Sequence, residues 1–588
     1  MADNNIDLFG WDTAYGISFT KANEAIKALK STPVGFTLAN KNAHGTEVAN
    51  VDGKWGDWQL TTNGDGQNLT MKCPITAGTY TTITEAGTTF DLSGTWVEVE
   101  IKLKYLDQKN ITYQDPTAKA GTGTQMNLQA RTASSDPTDP VASITASSFN
   151  FAQAGDPEIA KAICESLFKS WFTANLDQFN HVFSIFVINE TADQGAFQWL
   201  KPTALSYAVN STGSLDTSVF GVMAMTESRP VTLNTHTVDP RMLTVANGHS
   251  AFSISAELFV KKWIMPGLLA MRLGSSESDY VLSNDGMFWE NKDQIQWGTF
   301  TDNNNNPKPA YVDTGKFRVG LVGDLMKVEF TDLYWEIESG ITAHVNYTEY
   351  YSISLSSGTD AKDKPYANVL TATQAGKPSL VVSTSMADWK RYENLGFEIG
   401  MSILGAVVGG LIGGAADAAA SGVADAAEAG EEAALESGSE MVSMDLSDTL
   451  LDVMSDSSES MSSASEQGLS DASSDISDAS EMEEAGASQE SILSKFVSRV
   501  QSFGKNLWAA KWKLVGGIVG GAVGAGIGEI PSILDAISEK NFSDVPSLDN
   551  FAANCVGAVQ WPNSSGFTLT SATLSGALIL GGDLQENK

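Results

Sequence analysis

The side chains that could do chemistry in this 588-residue chain are its histidines, cysteines and carboxylates. The five histidines, His44, His181, His236, His249 and His344, are scattered. No HExxH or other ligand spacing puts two imidazoles on one helical face. There is no GxSxG elbow, no phosphate-cradling P-loop and no GxGxxG after a strand. Cys73, Cys164 and Cys555 lie far apart without CxxC spacing, so they read as buried hydrophobes rather than a zinc or redox pair. With 71 acidic residues, some carboxylates fall close together by chance, and spacing alone singles out no glycosidase pair. The residue types therefore point to binding rather than turnover. No catalytic residue, metal or cofactor is assigned.

The remaining chemistry is that of surfaces. Between Ser491 and Gly528 basic residues interleave with aromatics and no acid intervenes. Lys505, Trp508, Lys511, Trp512 and Lys513 have the composition of a membrane-interface anchor beside an apolar run. That run, Leu514 to Gly528, carries Gly516, Gly520, Gly524 and Gly528 four apart. An earlier run, Ile399 to Ala416, carries Gly405, Gly409 and Gly413 at the same spacing. Glycines four apart share a helical face and let a second backbone approach closely. The two runs hold thirteen glycines, and at about 1 kcal/mol each in a helix interior neither is expected to persist alone. A close-packed helical pair, or conditional insertion in a bilayer, would offset that cost. Each run is shorter than the roughly 20 residues that span a membrane.

The formal net charge is -35, but nineteen acids and no base fall between Asp425 and Glu490. Outside that tract the chain is mildly acidic, which excludes general affinity for nucleic acid. The tract itself, within residues 421–490, is too polar to order by burial. The first residues, MADNNIDLFGWD, carry neither a basic start nor an apolar core. The expectation is synthesis in a bacterial cytoplasm and release without a classical signal peptide.

The elements that must position any binding site are mostly strands. WVEVEIKLKYL sets Val97, Val99, Ile101, Leu103 and Tyr105 on one side and Glu98, Glu100, Lys102 and Lys104 on the other, which predicts an antiparallel sheet with one face in water. VEFTDLYWEIE and ITAHVNYTEYYSISL repeat the period of two, and the closing GFTLTSATLSGALILGGDL reads as a hairpin. Ala22, Ile26 and Leu29 predict a short early helix. The best amphipathic helix starts at Asp156, an N-cap followed by proline, with Ile159, Ile163, Leu167 and Trp171 four apart. AFSISAELFVKKWIMPGL turns from strand to helix ahead of Pro266. The organisation expected is a β-rich scaffold over residues 1–395, a helical insertion over 396–549 and terminal strands at 550–588 that rejoin the scaffold.

FGWDTAYG near the start, NHVFSIFVINE with WLKPTALSYAV, ELFVKKWIMPG, and a closing W...GFTLTSATLSGALILGG together resemble the forty-seven-kilodalton and OrfX proteins encoded in clostridial neurotoxin clusters. That family belongs with the tubular lipid-binding (TULIP) superfamily. The resemblance implies an α+β, mainly β, elongated scaffold in which a long curved antiparallel sheet wraps a long helix around an apolar groove. It implies that the helix at Asp156 is the wrapped one, with Ile159, Ile163, Leu167, Phe168 and Trp171 lining the groove. The function implied is a non-enzymatic toxin accessory protein that binds a lipid or other apolar ligand. Its implied partners are other proteins of the same gene cluster, and the basic aromatic stretch adds an anionic membrane surface. The alternatives are a membrane-inserting toxin component acting through the glycine hairpin and a structural assembly subunit.

Overall fold

In a computed structural model of the chain, the residues described are 5–82, 87–107, 124–136, 138–188, 197–231, 235–271, 275–301, 307–376, 379–387, 442–445, 536 and 540–586. The fold is α+β and mainly β, built on two antiparallel sheets. The glycine runs and the basic aromatic stretch lie outside the described residues. Among the described residues no helix is long and apolar enough to cross a membrane.

The first sheet is centred on Thr13–Ser18, whose six residues are all buried. It pairs on one side with Val219–Thr226 and on the other with Ser250–Ser255. Ser250–Ser255 in turn pairs with Ala577–Glu586, the second arm of the closing hairpin. That hairpin turns at Gly576, whose φ of +68° suits a residue without a Cβ. Asn68–Thr82 is shared between neighbours: its first half pairs with Trp96–Asp107 and its second with Glu47–Trp55.

Val97, Val99, Ile101 and Leu103 are buried as the alternation predicts. The opposite face is not simply wet. Glu98 is 6% exposed, because Ala142–Ser147 pairs alongside and donors close over it. Asn63 Nδ2 donates to both its carboxylate oxygens (3.2 and 2.9 Å) and Thr145 Oγ1 donates at 2.9 Å. A buried carboxylate is tolerated when hydrogen bonds replace its water.

The second sheet is organised on Ile341–Thr359, which pairs along one edge with Leu325–Glu338. Its other edge takes Ser379–Met386 and then Pro365–Gln374. Ala343 and Val345 are fully buried, as their period requires. Both sheets contribute to one continuous apolar core.

Between the sheets runs Ala256–Met271, which continues through Pro266 rather than ending before it. Proline removes an N–H and crowds the preceding turn. The helix accommodates this by widening to a π turn at Val260–Ile264. The Val260 carbonyl accepts from Trp289 Nε1 at 2.8 Å.

Candidate ligand-binding groove

The longest described helix is Pro157–Asn175, opened by the Asp156 side chain accepting from the Ile159 N–H at 3.1 Å. Its buried residues are Ala160, Cys164, Leu167, Phe168, Trp171 and Phe172. The face is therefore set one residue later than the Ile159 and Ile163 phase. Ile159 is 57% exposed and Ile163 is half-buried, so Ile159 does not face the sheet. The aromatic end of the helix decides the phase, since Phe168, Trp171 and Phe172 hold far more apolar area than two isoleucines.

Those rings meet the sheet directly. Phe36 lies 5.0 Å from Phe168, Trp55 lies 5.3 Å from Trp171, and Trp58 lies 5.3 Å from Phe172, centroid to centroid. Phe149 stacks on Phe168 at 5.4 Å. All seven are buried. Along Leu167, Phe168 and Phe172 the space between helix and sheet is filled by side chains.

At the C-terminal end of the helix the filling stops. A groove of about 720 Å³ opens there, with Trp171, Asn175 and Gln178 from the helix end and Val34, Phe36 and Lys54 among its other walls. Of the five positions assigned to a groove from sequence, Trp171 is the one that lines it. Val34 is 85% exposed. Gly53 and Gly78, paired across adjacent strands, also line it. A Cβ on Gly53 would lie 2.5 Å from the Ala77 carbonyl and 2.6 Å from the Phe36 ring, so Gly53 admits no side chain. The sequence signal was present in GKWGDW and AGTY, but the glycines share a site only once the strands are paired.

Close to the groove, His181 is fully buried between Phe179 (5.9 Å) and Phe183 (4.8 Å), with Nδ1 2.8 Å from Ser31 Oγ. Burial pushes its imidazole down to about 3, so the folded state holds it neutral. An unfolded histidine titrates near 6.5. Stability present above that value is lost as pH falls from 6.5 towards 3. By pH 5 the loss is about 2 kcal/mol. Urea midpoints at pH 7 and pH 5 check this: His181→Gln is expected to remove that part of the pH dependence, and an unchanged difference would refute it.

A second cavity of about 470 Å³ lies where the sheets adjoin, lined by Ile6, Trp11, Arg229, Glu257, Met287 and Leu321, among others. Beside it Asp12, with no exposed surface, accepts from the Thr226 N–H (2.8 Å), Thr226 Oγ1 (3.1 Å) and Arg229 Nε (3.1 Å). Arg229 Nη1 also donates to Glu257 at 2.7 Å. This arrangement latches the first strand to the helix at Ala256 and uses its charges internally.

Asp332, His344 and Ser385 form a chain that their sequence positions did not suggest. His344 Nδ1 lies 2.5 Å from Asp332 and Nε2 lies 2.7 Å from Ser385 Oγ. The atom order is that of an acyl-transfer triad. It links strands of the second sheet, and neither cavity contains any of the three residues. The three side chains tie neighbouring strands of the second sheet together through polar contacts. Among the described residues no group of histidine, cysteine and carboxylate side chains could hold a metal ion.

Residues 8–438 match the family described as OrfX-like, Protein OrfX2/OrfX3/P47. The chain is 30% identical over 290 residues to Protein OrfX3 of Paraclostridium bifermentans, covering 47% of this chain and 56% of that protein. It is 29% identical over 284 residues to Protein OrfX3 of Clostridium botulinum (strain Kyoto / Type A2), covering 44% and 53%. The matches thus span about half the length of these curated relatives. Among solved structures, P47 from Clostridium botulinum A2 is similar with a TM-score of 0.44 and 17% identity, covering 68% of this chain and 85% of that one. P47 of Clostridium botulinum E1 is similar with a TM-score of 0.48 and 13% identity, covering 98% and 100%.

Proposed function

This chain belongs to the OrfX-like family of toxin gene cluster proteins, and from that premise we propose that it is a non-enzymatic accessory protein of such a cluster. On this reading the scaffold is TULIP-like and carries an amphipathic lipid or other apolar-tailed ligand. The observation that carries the reading is the groove at the end of Pro157–Asn175. At about 720 Å³ it falls within the range of small-molecule sites, roughly 300–1,000 Å³. The exposed Val34 offers apolar contact, beside the edges of the buried Phe36 and Trp171. Lys54, Asp52, Asp91, Asn175 and Gln178 offer partners for a polar head. The filled space beneath Phe168 and Phe172 argues against a tail running the length of the helix. Residues 396–549 are, on the same reading, an insertion in this scaffold.

Native mass spectrometry of the protein from its expression host, followed by lipid extraction, tests the proposal. Stoichiometric co-purified lipid that Val34→Glu removes is the expected result. Liposome leakage without bound lipid would instead favour membrane insertion through residues 399–416 and 514–528. Lipid-free stoichiometric oligomers would favour an assembly subunit. Either outcome would overturn the carrier reading.

A further inference from the structure

The groove at the C-terminal end of Pro157–Asn175 has Phe36 and Trp171 in its wall, and Phe36 is clamped there. Its ring lies 5.0 Å from Phe168 and 4.5 Å from Trp55, centroid to centroid. On the strand side it rests on bare backbone: Cβ atoms on Gly53 and Gly78 would stand 2.6 and 3.1 Å from its Cζ. Trp55 also packs on Trp171 at 5.3 Å and on Phe168 at 5.6 Å, and Phe149 packs on Phe168 at 5.4 Å. All five rings are buried. Such a block admits an extra methylene only by straining its neighbours. Away from the block the groove continues along the helix end to Asn175 and Gln178. At a rise of about 1.5 Å per residue, residues 171–178 span roughly 10 Å. An extended chain of about eight methylene groups has that length.

Building on the carrier reading, we propose that the groove takes a single-tailed amphiphile, and that Phe36, backed by Phe168, is the stop that limits the covered tail to about eight carbons. The apolar line runs from Val34 to the edges of Phe36 and Trp171, while Asp52, Lys54 and Asp91 line other parts of the groove. A second tail would lie against those charged side chains and strip their water without replacing it. The stop also sets a length rule. A methylene that leaves water gains up to about fourfold in affinity, whereas one left outside the groove gains nothing.

Isothermal titration of the full chain with hexyl, octyl, decyl and dodecyl phosphocholine, each below its micelle concentration, tests this. Octyl is expected to bind about tenfold more tightly than hexyl, and dodecyl to stay within about twofold of octyl. Dihexanoylphosphatidylcholine, with the phosphocholine head on two tails, is expected to bind no more tightly than hexyl phosphocholine. Phe36→Ala removes the stop, so dodecyl should bind it about tenfold more tightly than it binds the parent. The milder Phe36→Leu should move the same way by a smaller factor. The parent series needs no variant, so it decides even where Phe36→Ala lowers the melting temperature. Affinity that keeps climbing from octyl to dodecyl in the parent, or dihexanoyl lipid binding about tenfold more tightly than hexyl, would overturn the proposal and leave the carrier reading standing. A plateau that both Phe36 variants leave unchanged while still folded would overturn the assignment of the stop. Binding of none of the probes would overturn the carrier reading with it.

Discussion

Replacing Arg229 with methionine is expected to destabilise the protein by about 3–5 kcal/mol, because it leaves a buried carboxylate without its counter-charge. Asp12 has no exposed surface, so water cannot replace the guanidinium. Thr226 would remain as its donor through N–H and Oγ1, which is not enough to neutralise a charge. The second partner, Glu257, is 42% exposed at its side chain and is expected to contribute little once solvated. The double variant Asp12→Asn with Arg229→Met should therefore recover part of the loss, while Glu257→Gln alone stays within about 1 kcal/mol of the parent. Urea unfolding midpoints measure all three. A single Arg229→Met cost below about 1 kcal/mol would show that the latch does not hold the first strand to the helix at Ala256.

Trp171→Ala is expected to cost about 3–5 kcal/mol, the range for removing a large aromatic side chain from a packed core. Its ring is 2% exposed and lies against Trp55, Trp58 and Phe172 at 5.3, 6.4 and 5.4 Å. Ile159→Ala, on the same helix and in the stripe suggested by spacing, should change stability by no more than about 0.5 kcal/mol, because that side chain is already in water. Thermal or chemical unfolding of the two variants side by side checks the helical phase directly. Equal losses would return Ile159 to the buried face.

That contrast shows what the sequence made legible. The N-cap at Asp156 with Pro157 located the start of the helix, and Leu167, Phe168 and Trp171 are on its buried face. The stripe at four-residue spacing swings by about 40° per step round a helix of 3.6 residues per turn, so its Leu167 and Trp171 end is buried while Ile159 comes out into water. Period-two alternation gave the strands at Trp96–Asp107 and Ile341–Thr359. It did not give the burial of Glu98, which depends on donors at Asn63 and Thr145 brought in by other segments. Asp12 and Arg229 are 217 positions apart, and no local pattern announces such a pair. The groove was hardest to read: its floor is defined by side chains that glycine lacks, on strands whose register only the fold supplies.

In the proposed carrier function an apolar ligand sits at the open end of Pro157–Asn175 and not beneath its aromatic middle. A diazirine-bearing fatty acid, photo-crosslinked to the full-length protein and mapped by peptide mass spectrometry, tests this most directly. Adducts are expected on peptides spanning residues 34–37 and 171–178, and are expected to be lost in Val34→Glu. Adducts confined to 399–416, 505–513 or 514–528, or spread along 160–168, would contradict it.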